Sequence, residues 1–530
     1  MTIMRIKRHF FIAFSLLLAL SLQAQESNRS AQSPAAAAKN HHLEVAKHLD
    51  IFNQLYKYLD LMYVDTLDAE KVIGTGIKSM LRSLDPYTEY FPEEKDLRTF
   101  MSGKYGGIGA LIRYHLGQKT VVVDEPYEGT PAQEAGLKKG DVILSIDDSV
   151  MTGKDTKYVS ERLRGDAGTT FVLKIRRPST GKEMKMKVTR RQIQYAPTIP
   201  YYGMREGGVG YISLSQFTEG CSQEVRRAFV DLRNRGMKAL VLDLRGNGGG
   251  SEAEAVSLVN MFVPRGRTVV SNRGKMKQAV HEYKTTVEPL DTLMPLAVLV
   301  NGESASASEI TCGALQDLKR AKIIGTRTYG KGLVQVPIDL PYNTNVKITT
   351  SRYYLPSDRC IQGTGVEPDM EVKLDTLPNI AYYLTGSGVD STEVAFDYVV
   401  DYISRHPTID KPAEFHLTDA DFAEFKQRVL KSGFTYDPVS KKQLAELVKT
   451  AQFEGYYDEA REAFDALEAK LTHDVGRDLD QHEAVLRQML EQDIVAAYYY
   501  QSGVLEAGLR HDRQLEAAVG VLTEKIAEKR

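Results

Sequence analysis

Cysteine is scarce in this chain, with three in 530 residues. Cys221, Cys312 and Cys360 lie far apart without metal-ligand spacing, and an odd set at such separations is no disulfide framework. All three are expected to be buried small hydrophobes, and none has a histidine context that would make it a nucleophile. Net charge is scarce as well: a formal −2 at pH 7 gives no case for nucleic acid or anionic lipid as a partner. The chain also offers little for a membrane span, since the apolar run from Phe10 to Leu20 is too short to cross a bilayer comfortably. Histidine is thin where it would count. Between Tyr201 and Lys373 it occurs once, as His281, in a polar stretch (NRGKMKQAVHEYK) that reads as a loop.

What is present starts with that short apolar run. Arg5, Lys7 and Arg8 precede it and LQAQES follows, so residues 1–24 read as a secretory signal peptide cut after Ala24. No cysteine follows the run, which argues against a lipid anchor there. Charged residues at 26% and hydrophobic ones at 42% describe an ordinary globular composition. At roughly 150 residues per domain the length implies several domains. Residues 25–42 are a polar, Ala-rich linker, and residues 43–96 place apolar residues three and four apart, a helical pair closed by DPYTEYFP. Residues 97–192 change to short strands and glycine turns, with helices at PAQEAGL and TKYVSERLRG, which predicts a small β domain. Residues 193–376 alternate: GVGYISL, KALVLDLR and PLAVLV as strands, with SQEVRRAFVDLRNRG, EAEAVSLVNMFV and SASEITCGALQDLKR as helices. That alternation predicts βαβ units around a largely parallel, buried sheet. Residues 377–530 are helical and charged; GYYDEAREAFDALEAKL resembles half of a helical hairpin, but one copy makes no repeat array.

Three stretches carry chemistry. GTRTYGKGLVQ (Gly325 to Gln335) almost spells a phosphate loop, yet Gly332 stands where a magnesium-binding hydroxyl belongs, and LVQVPIDLP reads as a strand rather than a helix. A nucleotide triphosphatase is therefore disfavoured. In VNGESASASEI an apolar strand enters a small-residue turn and then a helix, which can present a serine at the helix start. The same letters, Ser306 to Glu309, also spell a capping box in which Ser306 merely begins the helix. With no well-placed histidine, a serine nucleophile would need a lysine base, and Lys331, set between Gly330 and Gly332, is the candidate. An ordinary lysine is charged at neutral pH, so burial away from carboxylates would have to favour the free amine. In LDLRGNGGGSEAEAV, Gly248, Gly249 and Gly250 leave backbone N–H groups bare, as an oxyanion requires.

LDLRGNGGG, NGESASASEI, ALQDLKRAKIIGTRTYGKGLVQ and GTGVEPD, in this order, resemble the C-terminal processing peptidases, the tail-specific proteases of the S41 serine peptidase family. YGGIGALI, EGTPAQEAGLKKGDVILSIDD and LRGDAGT resemble a PDZ domain, and the likeness runs from Leu43 to Val372. It implies a multidomain α/β protein: a ClpP/crotonase-like α/β serine protease core with an inserted PDZ-like β domain, a helical N-terminal segment and a helical C-terminal extension. It also implies Ser306 as nucleophile, Lys331 as general base and Gln335 as the residue that orients it. Ala307 N–H and Gly249 would form the oxyanion hole. Gly106, Gly107, Ile108 and Gly109 would capture a terminal carboxylate, with Tyr158, Val159 and Leu163 lining a pocket for the last side chain. Tyr105 stands where familiar members often have phenylalanine. The expected protein is an exported, periplasmic or envelope-associated serine endopeptidase without metal or organic cofactor, acting on protein tails. The main rival is a tail-binding scaffold that does not cut. A further reading keeps the enzyme and gives the C-terminal helices a partner-binding or oligomerising role.

Overall fold

The computed structural model describes residues 34–93, 104–194, 197–374, 376–385, 392–436, 438–472 and 474–528. The expected signal peptide lies outside the described residues. The chain divides at Tyr90 into two compact units. The first holds two helices, α1 (Pro34–Met62) and α2 (Ala69–Arg82). α1 begins inside residues 25–42, read as a linker, because the alanine run there favours helix, and α2 is capped by the Asp68 carboxylate accepting from Lys71 N–H at 3.1 Å.

The larger unit opens with the small β domain. Its strands are β1 (Lys104–Gly107), β2 (Ala110–His115), β3 (Thr120–Pro126), β4 (Val142–Ile146), β5 (Ser149–Val150), β6 (Thr170–Arg176), β7 (Glu183–Thr189) and β8 (Arg191–Gln194). Helix α3 (Pro131–Glu134) and helix α4 (Thr156–Leu163) match the two helices expected. β1 and β8 form a separate two-stranded ribbon, and the other strands run in the order β2-β3-β4-β6-β7 with β5 on β4. Alternation sorts β3 by face: Val121 and Val123 point into the domain core, whereas Val122 joins Val142 against Phe396 and Val400 of the C-terminal helices.

The alternating segment builds a six-stranded sheet from β9 (Tyr202–Arg205), β10 (Val209–Ser213), β11 (Ala239–Asp243), β14 (Leu296–Val300), β15 (Lys322–Gly325) and β18 (Met370–Glu371), neighbours in that order. Only the β9–β10 pair is antiparallel. Every residue of β11 and β14 is buried, so both sheet faces must be covered. Helices α5 (Cys221–Asn234), α6 (Glu252–Val259) and α7 (Ala307–Asp317) cover one face, packing Phe229, Leu258 and Ile310 onto Leu242 and Val298. A second, antiparallel array pairs β16 (Leu333–Leu340) with β17 (Thr344–Tyr354), β17 with β12 (Thr268–Gly274), and β12 with β13 (His281–Lys284). NRGKMKQAVHEYK, read as a loop, is thus largely a hairpin. Its second strand is mostly exposed and polar, so it carries no apolar alternation that would betray it.

The C-terminal segment folds into α8 (Asn379–Thr385), α9 (Val394–Arg405), α10 (Asp419–Ser432), α11 (Val439–Glu454), α12 (Tyr457–Leu471), α13 (Val475–Gln481), α14 (Glu483–Gly508) and α15 (Arg513–Glu528). α8, α9, α10, α13 and α14 share a core of their own, around Tyr398, Phe425 and Ile494. α15 leaves that group and supplies the second cover of the parallel sheet, setting Leu515, Ala518 and Leu522 on Val241, Leu299 and Ile324. The helical extension is therefore part of the sheet domain's core. Among the described residues no helix is long and apolar enough to cross a membrane. Cys221 and Cys312 are buried free thiols as expected, but Cys360 is only half-buried, because it bridges to Tyr354 at the rim of the second sheet. Because Leu522 is fully buried between α15 and the sheet, Leu522→Ala is expected to cost about 2–5 kcal/mol of unfolding free energy. Leu467→Ala, on an exposed face of α12, should stay within about 0.5 kcal/mol; chemical denaturation compares the two.

Candidate active site

β14 ends at Val300, and α7 begins at Ala307 after a turn of small residues. Within it the structure separates three serines that composition could not. Ser304 is fully buried, its hydroxyl donating to the Leu244 carbonyl at 2.7 Å and accepting Asn301 N–H at 3.0 Å. Ser308 is fully buried too, donating to the Asn247 carbonyl at 2.8 Å. Ser306 is half-buried on the wall of a cleft of 930 Å³, with φ at +56° and ψ at −113°. That conformation is costly for a residue with a Cβ, and surrounding contacts must hold it.

The main contact is Glu309, whose fully buried carboxylate accepts four hydrogen bonds. Oε2 takes Ser306 N–H at 2.9 Å and Lys331 N–H at 2.8 Å, while Oε1 takes Gly330 N–H at 2.7 Å and the Thr328 hydroxyl at 2.5 Å. Burial pushes this carboxyl above its ordinary range, and the four donors pull the other way. One carboxylate therefore joins the serine turn to the lysine turn. Tyr353 adds a second tie, its hydroxyl within hydrogen-bond reach of the Lys331 carbonyl and, at 3.3 Å, of the Ser306 carbonyl.

Lys331 sits half-buried on the same cleft. β15 is followed here by β16 rather than a helix, so no helix N-terminus meets the GKG turn and the phosphate-loop geometry is missing. The glycines have a different purpose. A Cβ on Gly332 would lie 2.7 Å from Gln362 N, and one on Gly330, at φ +92°, would lie 3.0 Å from Gly365 N. The turn is thus pressed against residues 362–365, and Gly332 N–H donates to Gln362 Oε1 at 2.8 Å. Gln335 also lines the cleft, and its side-chain amide donates to Thr349 Oγ1 at 3.1 Å across the β16–β17 pair.

The glycine loop forms the facing wall, with Gly246, Gly248, Gly249 and Gly250 all lining the cleft. Gly249 has φ +99°, and an added Cβ would lie 2.7 Å from the Ala305 carbonyl, 2.8 Å from Ser306 Cβ and 3.0 Å from Ala307 N. Its backbone therefore abuts the serine turn, though its N–H donates to Asn247 Oδ1 at 2.9 Å. Asn247, fully buried, also accepts Ala305 N–H on its carbonyl at 3.0 Å and donates from Nδ2 to the Leu214 carbonyl at 2.8 Å. The amides of Ala307, Gly248 and Gly250 meet no acceptor among the described residues.

In the β domain, Gly106 and Gly107 end β1, paired with Gln192 and Arg191. The Ile108 and Gly109 N–H groups that follow meet no acceptor among the described residues. Gly109, at φ +75°, would place a Cβ 2.5 Å from Thr130 Cβ, so only glycine fits. The expected pocket residues divide. Val159 and Leu163, four apart on α4, point inward and pack with Ile108 in the domain core, where each is at most 5% exposed. They line no open pocket in this structure. Tyr158 is half-buried, with the Arg162 guanidinium 3.4 Å above its ring. β1 also reaches the cleft, since Lys104 at its start and Gln194 at the end of β8 both line it.

A strained serine, a lysine and a glycine loop facing one cleft, beside a PDZ-type β domain, describe a serine peptidase that recognises protein substrates. The comparisons carry this further. Residues 208–372 match the model of peptidase family S41, residues 122–177 that of the PDZ domain, and residues 380–522 one described as "Probable PDZ-protease, C-terminal helical domain". A carboxy-terminal-processing protease of Bartonella bacilliformis is 37% identical over 340 residues, covering 63% of this chain and 77% of that protein. A probable CtpA-like serine protease of Staphylococcus aureus is 32% identical over 349 residues, 64% of this chain and 69% of its own. A solved photosystem II D1 C-terminal processing protease is 31% identical, covering 64% of this chain and 91% of that one, with a TM-score of 0.38. The chain belongs to peptidase family S41, with the carboxy-terminal-processing proteases.

Sequence reasoning saw Glu309 only as half of a capping box and missed its reach to Gly330 and Lys331. The S-x-x-E spacing was the available signal; its long-range partners had none. It missed Asn247 and Tyr353 entirely. Glu309→Gln keeps the shape but replaces one acceptor oxygen by a donor facing donors. It should leave at least one buried N–H unpaired, costing about 1–3 kcal/mol, and slow labelling of the active-site serine by a fluorophosphonate at least ten-fold. Gly249→Ala should likewise abolish labelling by pushing the serine turn aside, with a smaller loss of melting temperature than of activity.

Proposed function

We propose that this chain is an exported endopeptidase that captures protein C-termini on its PDZ domain and cleaves with a Ser306/Lys331 dyad. The observation that carries this reading is the shared carboxylate: the turns bearing Ser306 and Lys331 hang from Glu309, and both side chains face one cleft. In the proposed reaction the neutral amine of Lys331 takes the Ser306 hydroxyl proton as Oγ bonds to the substrate carbonyl carbon. Gln335 orients the lysine. The oxyanion is received by Ala307 N–H and a glycine-loop amide, expected at Gly249, whose N–H must then leave Asn247. Lys331 returns the proton to the departing amine as the C–N bond breaks, and water hydrolyses the acyl-enzyme.

Tail capture is supported by the N–H groups of Ile108 and Gly109, which meet no acceptor among the described residues and suit a terminal carboxylate. β1 then leads from that loop to Lys104 on the cleft wall, about 13 Å from Ile108 at ~3.3 Å per residue. A side-chain pocket requires α4 to move off β2, with Tyr158 at its rim. Export rests on the signal-like first 24 residues.

The test uses an unstructured protein with an apolar C-terminus, incubated with wild type, Ser306→Ala and Lys331→Ala, with and without EDTA. Wild type should cleave, both variants should lose at least about 10³-fold in rate, and EDTA should change nothing. Tail binding without cleavage by wild type would replace the enzyme with a scaffold, and cleavage surviving in Lys331→Ala would reject the dyad.

A further inference from the structure

The residue that introduces the glycine loop is held from the far end of the chain. Arg245 lies two residues beyond the end of β11, directly before Gly246, and all five of its guanidinium N–H groups have partners. Nε and one Nη2 hydrogen meet Asp243, at 2.9 Å and 2.5 Å. The other Nη2 hydrogen and one on Nη1 form a bidentate pair with Asp512, at 2.5 Å and 3.0 Å. The last meets Gln514 Oε1 at 3.0 Å. Asp512 is itself fixed, since Oδ1 accepts Gln514 N–H at 3.1 Å and Leu515 N–H at 3.0 Å at the start of α15. Gln514, fully buried, reaches on to the Val372 carbonyl at 2.6 Å. On the other side, Asp243 accepts the Tyr211 hydroxyl at 2.7 Å.

We propose that Asp512 is a positioning residue for the peptidase reaction: by clamping Arg245 from the C-terminal extension, it sets the glycine loop, residues 246–250, against Ser306. The inference rests on the reading above in which that loop receives the oxyanion. Two physical points separate it from plain helix docking. α15 is already seated by Leu515, Ala518 and Leu522, so an ion pair is not needed to bury it. A desolvated ion pair adds little net stability to a seated helix, but the planar two-pronged geometry of Arg with carboxylate fixes orientation. What it orients is a loop of glycines with little conformational preference of its own, where a misplaced amide costs transition-state binding directly.

The experiment compares full-length wild type, Asp512→Asn and Leu522→Ala, with Ser306→Ala as the blank. Asparagine keeps a helix-capping oxygen but loses the charge and one prong toward Arg245. Leu522→Ala loosens the same helix without touching Arg245. Cleavage of the apolar-tailed protein should show kcat for Asp512→Asn down about ten-fold, less than deletion of an oxyanion donor, with KM within about two-fold. Leu522→Ala should lower the melting temperature at least as much, yet keep kcat within about two-fold at a temperature where it is folded. Hydrogen exchange should quicken across residues 245–250 in Asp512→Asn alone. The proposal is overturned if Asp512→Asn keeps wild-type kcat and loop exchange, or if Leu522→Ala reproduces both changes. If wild type is no more active than Ser306→Ala, the peptidase reading falls instead; loop exchange then still decides whether Asp512 orders the loop.

Discussion

A single buried carboxylate holds the site together. Glu309 lies in the first turn of α7, where the unpaired amides of a helix start favour negative charge, and its two oxygens accept from Ser306, Thr328, Gly330 and Lys331. Removing a carboxylate from water is expensive, and only a full set of donors offsets it. The same set makes the arrangement unforgiving. If either turn moves, a buried charge loses a partner, so the serine and lysine turns keep their spacing together. The strained backbone at Ser306 is sustained by this, because its N–H is one of the four donors.

Around that centre the sheet explains how distant parts of the chain become neighbours. β11 and β14 are buried on both faces, and alternate side chains feed two cores. One core is closed by helices that belong to the βαβ alternation, the other by α15 from the chain's end. The PDZ-type domain is held by the same extension. Arg113 meets Glu393 at 2.5 Å, His115 meets Asp397 at 3.0 Å, Gln501 donates to Glu125 at 2.6 Å, and Phe396 and Val400 pack on Val122 and Val142. The C-terminal helices thus brace the PDZ-type domain and the parallel-sheet domain at once.

The sequence made much of this legible where the signal is local. Continuous apolar runs such as LAVLV announced buried parallel strands, and glycine turns with short alternating runs announced the β domain. The strand after GTRTYGKG was visible from its proline and alternation, enough to set aside a phosphate loop. Legibility failed where exposure replaced alternation, as in the hairpin around His281, and where a residue's partner lay far along the chain. Val159 and Leu163 were expected to line a pocket, but whether their helix face opens onto a groove or closes on Ile108, as it does here, is a matter of packing.

By itself, then, the sequence determined the order and type of the elements, the β domain's glycine-rich entry and the three short stretches from which the site is made. Those follow from periodicity and backbone permissiveness, which act between near neighbours. Only the tertiary structure decided which serine of SASAS faces the cleft, that Glu309 binds two turns, that Gly249 abuts Ser306, and that Asp512 reaches Arg245. Each of these depends on one group meeting another across the sheet or between turns, and no pattern of spacing encodes a contact that folding alone creates.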